Sequence, residues 1–215
     1  MTPSARTREK ILDALASCQQ KRVPEHIALE RREYTRKGQL SPMARAELMM
    51  ERLNEYDAVV ERCQPGALRE IIADQLNLTA TRSIVVPTGV PTEWLADGFE
   101  WRVDRDLTIQ QIEESQCVLT ASFCGIAGSG TIVMHHGPAE GRRVITLLPD
   151  RHICVLRIAD IVEALPEYFD RVTKPPLLAT YISGPSATAD IEMTRIKGVH
   201  GPRFLHVLMV EDDAV

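Results

Sequence analysis

The sequence holds no C-x-x-C pair, and its five cysteines, Cys18, Cys63, Cys117, Cys124 and Cys154, are odd in number and widely spaced. That pattern excludes a disulfide framework and an iron-sulfur cluster held by this chain alone. Cys117, Cys124 and Cys154 sit in apolar runs, where a thiol is expected to serve as a small buried hydrophobe. Positive charge is also short. Twenty-five Lys and Arg stand against 30 Asp and Glu, a net charge of -5, which argues against nucleic acid as the main partner. No apolar run approaches the roughly 20 residues of a membrane span, so an integral membrane protein is not expected. Five charges before Leu15 leave no signal-peptide core, and the cytoplasm is the expected compartment. The phosphate loop G-x-x-x-x-G-K-[ST] is missing, and no G-x-G-x-x-G follows a strand. His135 and His136 are adjacent, so on a strand they point to opposite faces. No carboxylate or thiol has matching spacing beside them, and no metal is expected.

What remains is an ordinary globular composition, 44% hydrophobic and 26% charged over 215 residues, enough for one α/β domain with a sizeable core. Helical spacing of Ile11, Leu12, Leu15 and Cys18 predicts a helix over 4–20. Leu48, Met49, Leu53, Tyr56 and Val60 predict a second over 42–60, and Pro65 opens a third that fades at Asn77. Residues 22–41 are charged and apolar-poor, which reads as a solvated arm, or as one that wraps another subunit. From Arg82 onward short β-branched runs alternate with helical stretches. Strands are expected at 83–87, 101–104, 117–120, 131–134, 143–148, 152–156, 178–182 and 204–210, with 131–134 and 143–148 forming a hairpin. Helices are expected at 107–114, 159–169 and 187–196. The alternation implies a mainly parallel sheet with helices on both faces, whose ligands sit at the carboxyl ends of its strands. The division expected is a helical segment, 1–80, packed on an α/β core, 81–215.

Four segments can carry chemistry. In Thr120–Thr131, Gly125, Gly128 and Gly130 allow close backbone approach or positive φ, and exposed N–H groups there can bind an anion. A tight corner that only redirects the chain explains the same glycines. In Leu147–His152, Pro149-Asp150 turns the chain and His152 opens a strand, more as a structural hydrogen-bonder than as a catalyst. In Ile182–Glu192, Ser186 or Thr188 fits a helix N-cap, with Asp190 and Glu192 in the first turn; simple capping and an anion site are both open. In Lys197–Arg203, His200 sits between Gly198 and Gly201, with Arg203 three positions on, a pairing that suits a carboxylate or phosphate. The expected ligand-binding set is therefore Gly125, Gly128, Ser129, Gly130, Thr131, Gly184, Ser186, Thr188, Asp190, His200 and Arg203, with His200 the candidate catalytic group.

The runs Gly125-Ile126-Ala127-Gly128-Ser129-Gly130-Thr131, Leu147-Leu148-Pro149-Asp150-Arg151-His152-Ile153, Gly184-Pro185-Ser186-Ala187-Thr188-Ala189-Asp190-Ile191-Glu192 and Gly198-Val199-His200-Gly201-Pro202 resemble, in order and spacing, the lactate-utilisation protein C family, or LUD domain. The resemblance covers about residues 82–210. It implies a three-layer Rossmann-like sandwich of the NagB/RpiA/CoA-transferase-like type. It also implies a role in oxidising L-lactate to pyruvate beside two partner proteins, at least one carrying iron-sulfur clusters. Two departures stand out. The family usually has Ile-Ala-Glu-Thr-Gly-Thr where this chain has Ile126 to Thr131, so Gly128 stands where the family has a carboxylate. Ala187 stands where the family often has Arg. No mechanism that uses that Glu can operate here.

Three readings follow from the resemblance. The chain is a component of an L-lactate oxidation system that binds a small anionic metabolite at the strand ends. Alternatively, it is a diverged enzyme of the same fold acting on a sugar phosphate, a folate or a CoA ester. In the third, it is a non-catalytic assembly subunit. Self-association is compatible with each.

Overall fold

A computed structural model describes residues 7–14, 34–188, 196–197 and 201–211. The chain divides into two compact units, Met1–Tyr34 and Thr35–Val215. In the first, residues 7–14 form helix α1, with Ile11 and Leu12 exposed; Leu15 and Cys18 lie outside the described residues, as does most of the charged arm.

The second unit is α/β, as expected. Helix α2 (Pro42–Glu55) starts where the Ser41 hydroxyl accepts from the Ala44 N–H and Pro42 occupies the first turn. It ends four residues before the strand β1 (Val59–Cys63). The helix expected to reach Val60 therefore stops early. Asp57 takes φ +64, the Ala58 N–H bonds the Leu53 carbonyl and the Asp57 N–H bonds that of Asn54, a helix stop usually made by glycine. Helix α3 (Leu68–Leu78) ends the same way at Ala80, φ +52. The end of α3 lies one residue past the expected Asn77, but without a glycine at Asp57 the end of α2 and the start of β1 are not marked in the sequence.

Strands β2 (Ser83–Pro87), β3 (Glu100–Asp104), β4 (Cys117–Ala121), β7 (Arg151–Arg157) and β12 (Phe204–Val210) join β1 in one six-stranded sheet of order β1-β12-β7-β4-β2-β3, every neighbouring pair parallel. A parallel sheet is covered on both faces, so its strands read as near-continuous apolar runs. On one face Leu68, Ile72 and Leu76 of α3 pack against Ile84, Leu119, Ile153 and Leu208. On the other, Ala46, Met49 and Leu53 of α2 pack against Cys154, Leu156, Val207 and Met209. Helix α4 (Ile109–Glu113) adds Ile112 against Val85 and Val118. Each such fully buried aliphatic side chain contributes about 1.5–3 kcal/mol.

The third layer includes a smaller sheet. Strands β5 (Cys124–Ile126) and β6 (Thr131–Met134) are antiparallel, flanked by β8 (Ile161–Val162) and β9 (Thr180–Ile182), in the order β8-β5-β6-β9. Three expectations are corrected here. Arg143–Thr146 is a 3-10 turn, closed by the Thr146 hydroxyl on the Arg143 carbonyl, and β6 pairs with β5 and β9 instead. Its β-branched residues mimic a strand because Ile145 is buried beside Val85 and Val118. The helix read over 159–169 is a 3-10 turn, β8, and a shorter helix α5 (Leu165–Arg171). Where a helix was read over 187–196, β10 (Ala187–Thr188) pairs antiparallel with β11 (Ile196–Lys197). Among the described residues no helix is long and apolar enough to cross a membrane.

Candidate functional site

Two clefts adjoin at β9. The smaller, about 360 Å³, opens at the amino ends of β7 and β12, among Arg143, Thr146, His152, Ser183, Gly184, Ser186 and Gly201. The larger, about 700 Å³, has apolar walls from Leu48, Ile126, Leu165 and Phe169 and a floor of Gly128, Ser129 and Thr131. Tyr181 and Ser183 line both. Carboxyl-end placement was expected. However, β4 runs through only Ser122 and Phe123 into β5, and the Ser122 hydroxyl ties that link to the Val155 carbonyl at 3.0 Å. A third cleft, about 500 Å³, does sit at the carboxyl ends of β2 and β3. Its Arg142 is already held in a two-pronged pair with Asp104, whose side chain is only 1% exposed.

His152 is the most constrained polar group in the smaller cleft. It is 2% exposed, and its Nε2 lies 2.8 Å from the Thr120 hydroxyl. That hydroxyl also lies 3.9 Å from the Cys154 sulfur, an acceptor for its proton in the tautomer that carries hydrogen on Nε2. That tautomer leaves the Nδ1 lone pair without a hydrogen bond to any described residue. Burial pushes the imidazole down to about 4, because the charged form loses its water. The ring is therefore a neutral base at pH 7. Arg143 forms no ion pair with any described residue and supplies a cation at the same cleft. A guanidinium suits a carboxylate or phosphate, and a charge-assisted bond of this kind is worth about 1.5–3 kcal/mol.

A hydroxyl chain links the clefts. Ser129 Oγ lies 2.7 Å from Thr131 Oγ1, which lies 2.8 Å from Ser183 Oγ. Tyr181 is held from behind: its hydroxyl donates to that of Tyr168 at 3.2 Å, and the Tyr168 hydroxyl lies 2.9 Å from His135 Nε2. The His135 ring stacks on Phe123 at 3.7 Å. Burial raises the Tyr168 hydroxyl and lowers His135, so both groups are held uncharged.

The expected site residues separate. Gly128, Ser129 and Thr131 line the larger cleft, and Gly184 and Ser186 the smaller. Gly125 and Gly130 answer to packing. A Cβ on Gly125 would meet Leu156 at 2.9 Å, and one on Gly130 would meet the Arg52 Cβ at 2.7 Å. Arg203 is held by the Asp150 carboxylate, out of both linings. Thr188 contributes its backbone to β10 with Ala187, so Ser186 does not open a helix. Asp190 and His200 lie outside the described residues. Arg143, Tyr181 and Ser183 were not singled out in the sequence, and His152 was read as structural. The run His152-Ile153-Cys154-Val155-Leu156 held the signal for His152, since a histidine in a strand buried on both faces is desolvated.

Gly128 stands where the resemblance leads one to expect a carboxylate. The Gly128 N–H bonds the Glu163 carbonyl at 2.9 Å, and Glu163 lines the same cleft. The Glu163 carboxylate accepts from the Leu40 N–H at 2.7 Å. Among the described residues no group of His, Cys, Asp and Glu side chains is placed to hold a metal ion. Cys63, Cys117, Cys124 and Cys154 are all buried free thiols, pushed up by burial to about 11 or 12.

Comparison with known proteins decides the family. The LUD domain pattern matches residues 46–210. The chain belongs to the LUD domain family. Lactate utilization protein C of Deinococcus radiodurans is 36% identical over 179 residues, spanning 79% of this chain and 82% of that protein. Lactate utilization protein C of Bacillus velezensis is 31% identical over 182 residues, 74% and 75% of the two chains. The crystal structure of a DUF162 family protein from Deinococcus radiodurans superposes with a TM-score of 0.70 at 29% identity, covering 80% of this chain and 99% of that one. The LUD domain match begins inside α2, so β1, α3 and most of α2 fall within the matched domain.

Proposed function

We propose that this LUD protein serves L-lactate utilisation and binds a small anionic metabolite in the smaller cleft. The observation that carries the reading is the Deinococcus relative, named for lactate utilisation and similar over most of both chains. The cleft supports it chemically. Arg143 takes the carboxylate of a 2-hydroxy acid, and the Nδ1 lone pair of His152 accepts from its hydroxyl. Because the four described cysteines are buried protonated thiols, the iron-sulfur clusters of the oxidation are assigned to partner subunits.

Deleting the gene is expected to slow growth on L-lactate as sole carbon source and leave growth on glucose unchanged. Equal growth of deletion and parent on lactate, in a strain with no second lactate dehydrogenase, sinks the proposal. In the purified chain, Arg143→Gln is expected to weaken L-lactate binding by about ten- to hundredfold, measured by calorimetric titration. Arg143 is exposed, so melting should not move; unchanged affinity removes Arg143 from the site. The purified chain is also expected to be colourless and free of stoichiometric iron. Visible absorbance with iron near one cluster per chain would overturn the assignment of clusters to partners.

A further inference from the structure

The smaller cleft, at about 360 Å³, has room for more than lactate. Lactate has six heavy atoms. At the roughly 30 Å³ that a water-sized unit takes in a liquid, they fill at most about 180 Å³. Ser183 and Tyr181 line the larger cleft as well, about 700 Å³. Together the two are of the size that holds cofactor-sized or drug-sized ligands.

Their chemistry differs from end to end. The smaller cleft has Arg143, His152 and the hydroxyl-bearing Ser183 and Ser186. The larger has Leu48, Ile126, Leu165 and Phe169 as walls. Phe169 is 58% exposed and Leu165 46%, a cost in water that a ligand's apolar body would relieve. Between them the hydroxyls of Ser129, Thr131 and Ser183 form a chain of two internal hydrogen bonds. Three hydroxyls carry three donors, so one remains for a ligand. Tyr181 presents a ring to both clefts, and its hydroxyl bond to Tyr168 holds it there.

We propose that the natural ligand is an amphipathic carboxylic acid longer than lactate. Its carboxylate lies at Arg143, a hydroxyl faces His152 Nδ1, and an aromatic or branched apolar body lies in the larger cleft against Leu165 and Phe169. The proposal rests on the anion reading of the smaller cleft.

The test is calorimetric titration of the full purified chain with L-lactate and with L-3-phenyllactate, which keeps the carboxylate and hydroxyl and adds a benzene ring. Phenyllactate is expected to bind at least about tenfold tighter. Leu165→Ala and Phe169→Ala, both at exposed positions where folding should survive, are expected to weaken phenyllactate about five- to tenfold and leave lactate unchanged. Arg143→Gln should weaken both acids. Lactate binding that depends on Arg143, with phenyllactate no tighter, overturns the extended ligand and leaves the anion site standing. Tighter phenyllactate binding that ignores both wall variants also overturns it, since the ring then lies elsewhere. Binding of neither acid overturns the anion site and this proposal together.

Discussion

Acidification from pH 7 to pH 4.5 is expected to unfold this protein at temperatures it tolerates at neutrality. His152 and His206 are both held neutral by burial, each lowered from 6.5 to about 4. In the unfolded chain they protonate near 6.5, so between pH 6.5 and 4 the unfolded state binds more protons than the folded one. Stability therefore rises with pH across that window. It is complete above about pH 6.5 and lost as pH falls toward 4. Each pKa unit is worth 1.36 kcal/mol, so each histidine accounts for about 3 kcal/mol and the pair for about 6. A domain of ordinary stability has only about 5–15 kcal/mol in total. His206 gains little from protonation, although Glu61 Oε2 lies 3.7 Å from its Nε2, which has no hydrogen bond to any described residue. Glu140 works the other way, because burial raises its carboxyl and acid favours its folded state. One such group does not offset two histidines. Melting temperature followed from pH 7.5 to 4.5 should fall steeply below 6.5, and His206→Gln should roughly halve the slope. A flat profile would mean that neither imidazole is buried neutral.

The same two histidines mark how far the sequence can be read. The apolar runs that make β4, β7 and β12 are legible because a strand buried on both faces has few polar positions. A histidine inside such a run is desolvated whatever its role, so the run shows that His152 is buried. It does not show that Nε2 meets Thr120 while Nδ1 stays bare. The four family motifs are equally legible, and they lead to the LUD domain. The helix stop at Asp57 is not, because its left-handed residue is not the glycine that announces such a turn. Nor is the turn at Arg143–Thr146, whose Val144 and Ile145 satisfy the same burial as a strand would. Missing that turn hides Arg143, since a residue read at the start of a hairpin strand gives no reason to look for it beside Ser186 and Gly201. The site was legible as segments and illegible as a pairing. The order of the motifs cannot show that Gly128 and Gly184 open onto neighbouring clefts that share Tyr181 and Ser183.

Gly130 separates the two explanations that its segment leaves open. If the glycines of Gly125–Thr131 exist to admit a ligand, Gly130→Ala should leave melting in place and weaken binding. The geometry points the other way. Gly130 takes φ +60 and ψ +34, a left-handed conformation that costs an alanine about 1–2 kcal/mol. Its added Cβ would stand 2.7 Å from the Arg52 Cβ, 3.1 Å from the Arg52 carbonyl carbon and 3.2 Å from the Leu53 nitrogen. Two of those three atoms are backbone of α2, which cannot swing aside as a side chain can. Overpacking of this kind costs a further 1–3 kcal/mol or so. The expected loss is about 2–5 kcal/mol, or a fall of roughly 10 °C in a domain of this size. Gly66→Ala is the control. No described residue lies within 4 Å of its Cβ and its φ is not positive, so the substitution should be neutral or stabilise by up to about 1 kcal/mol. A Gly130→Ala protein that melts with the parent would show that α2 yields at Arg52, and would return the glycine to the ligand.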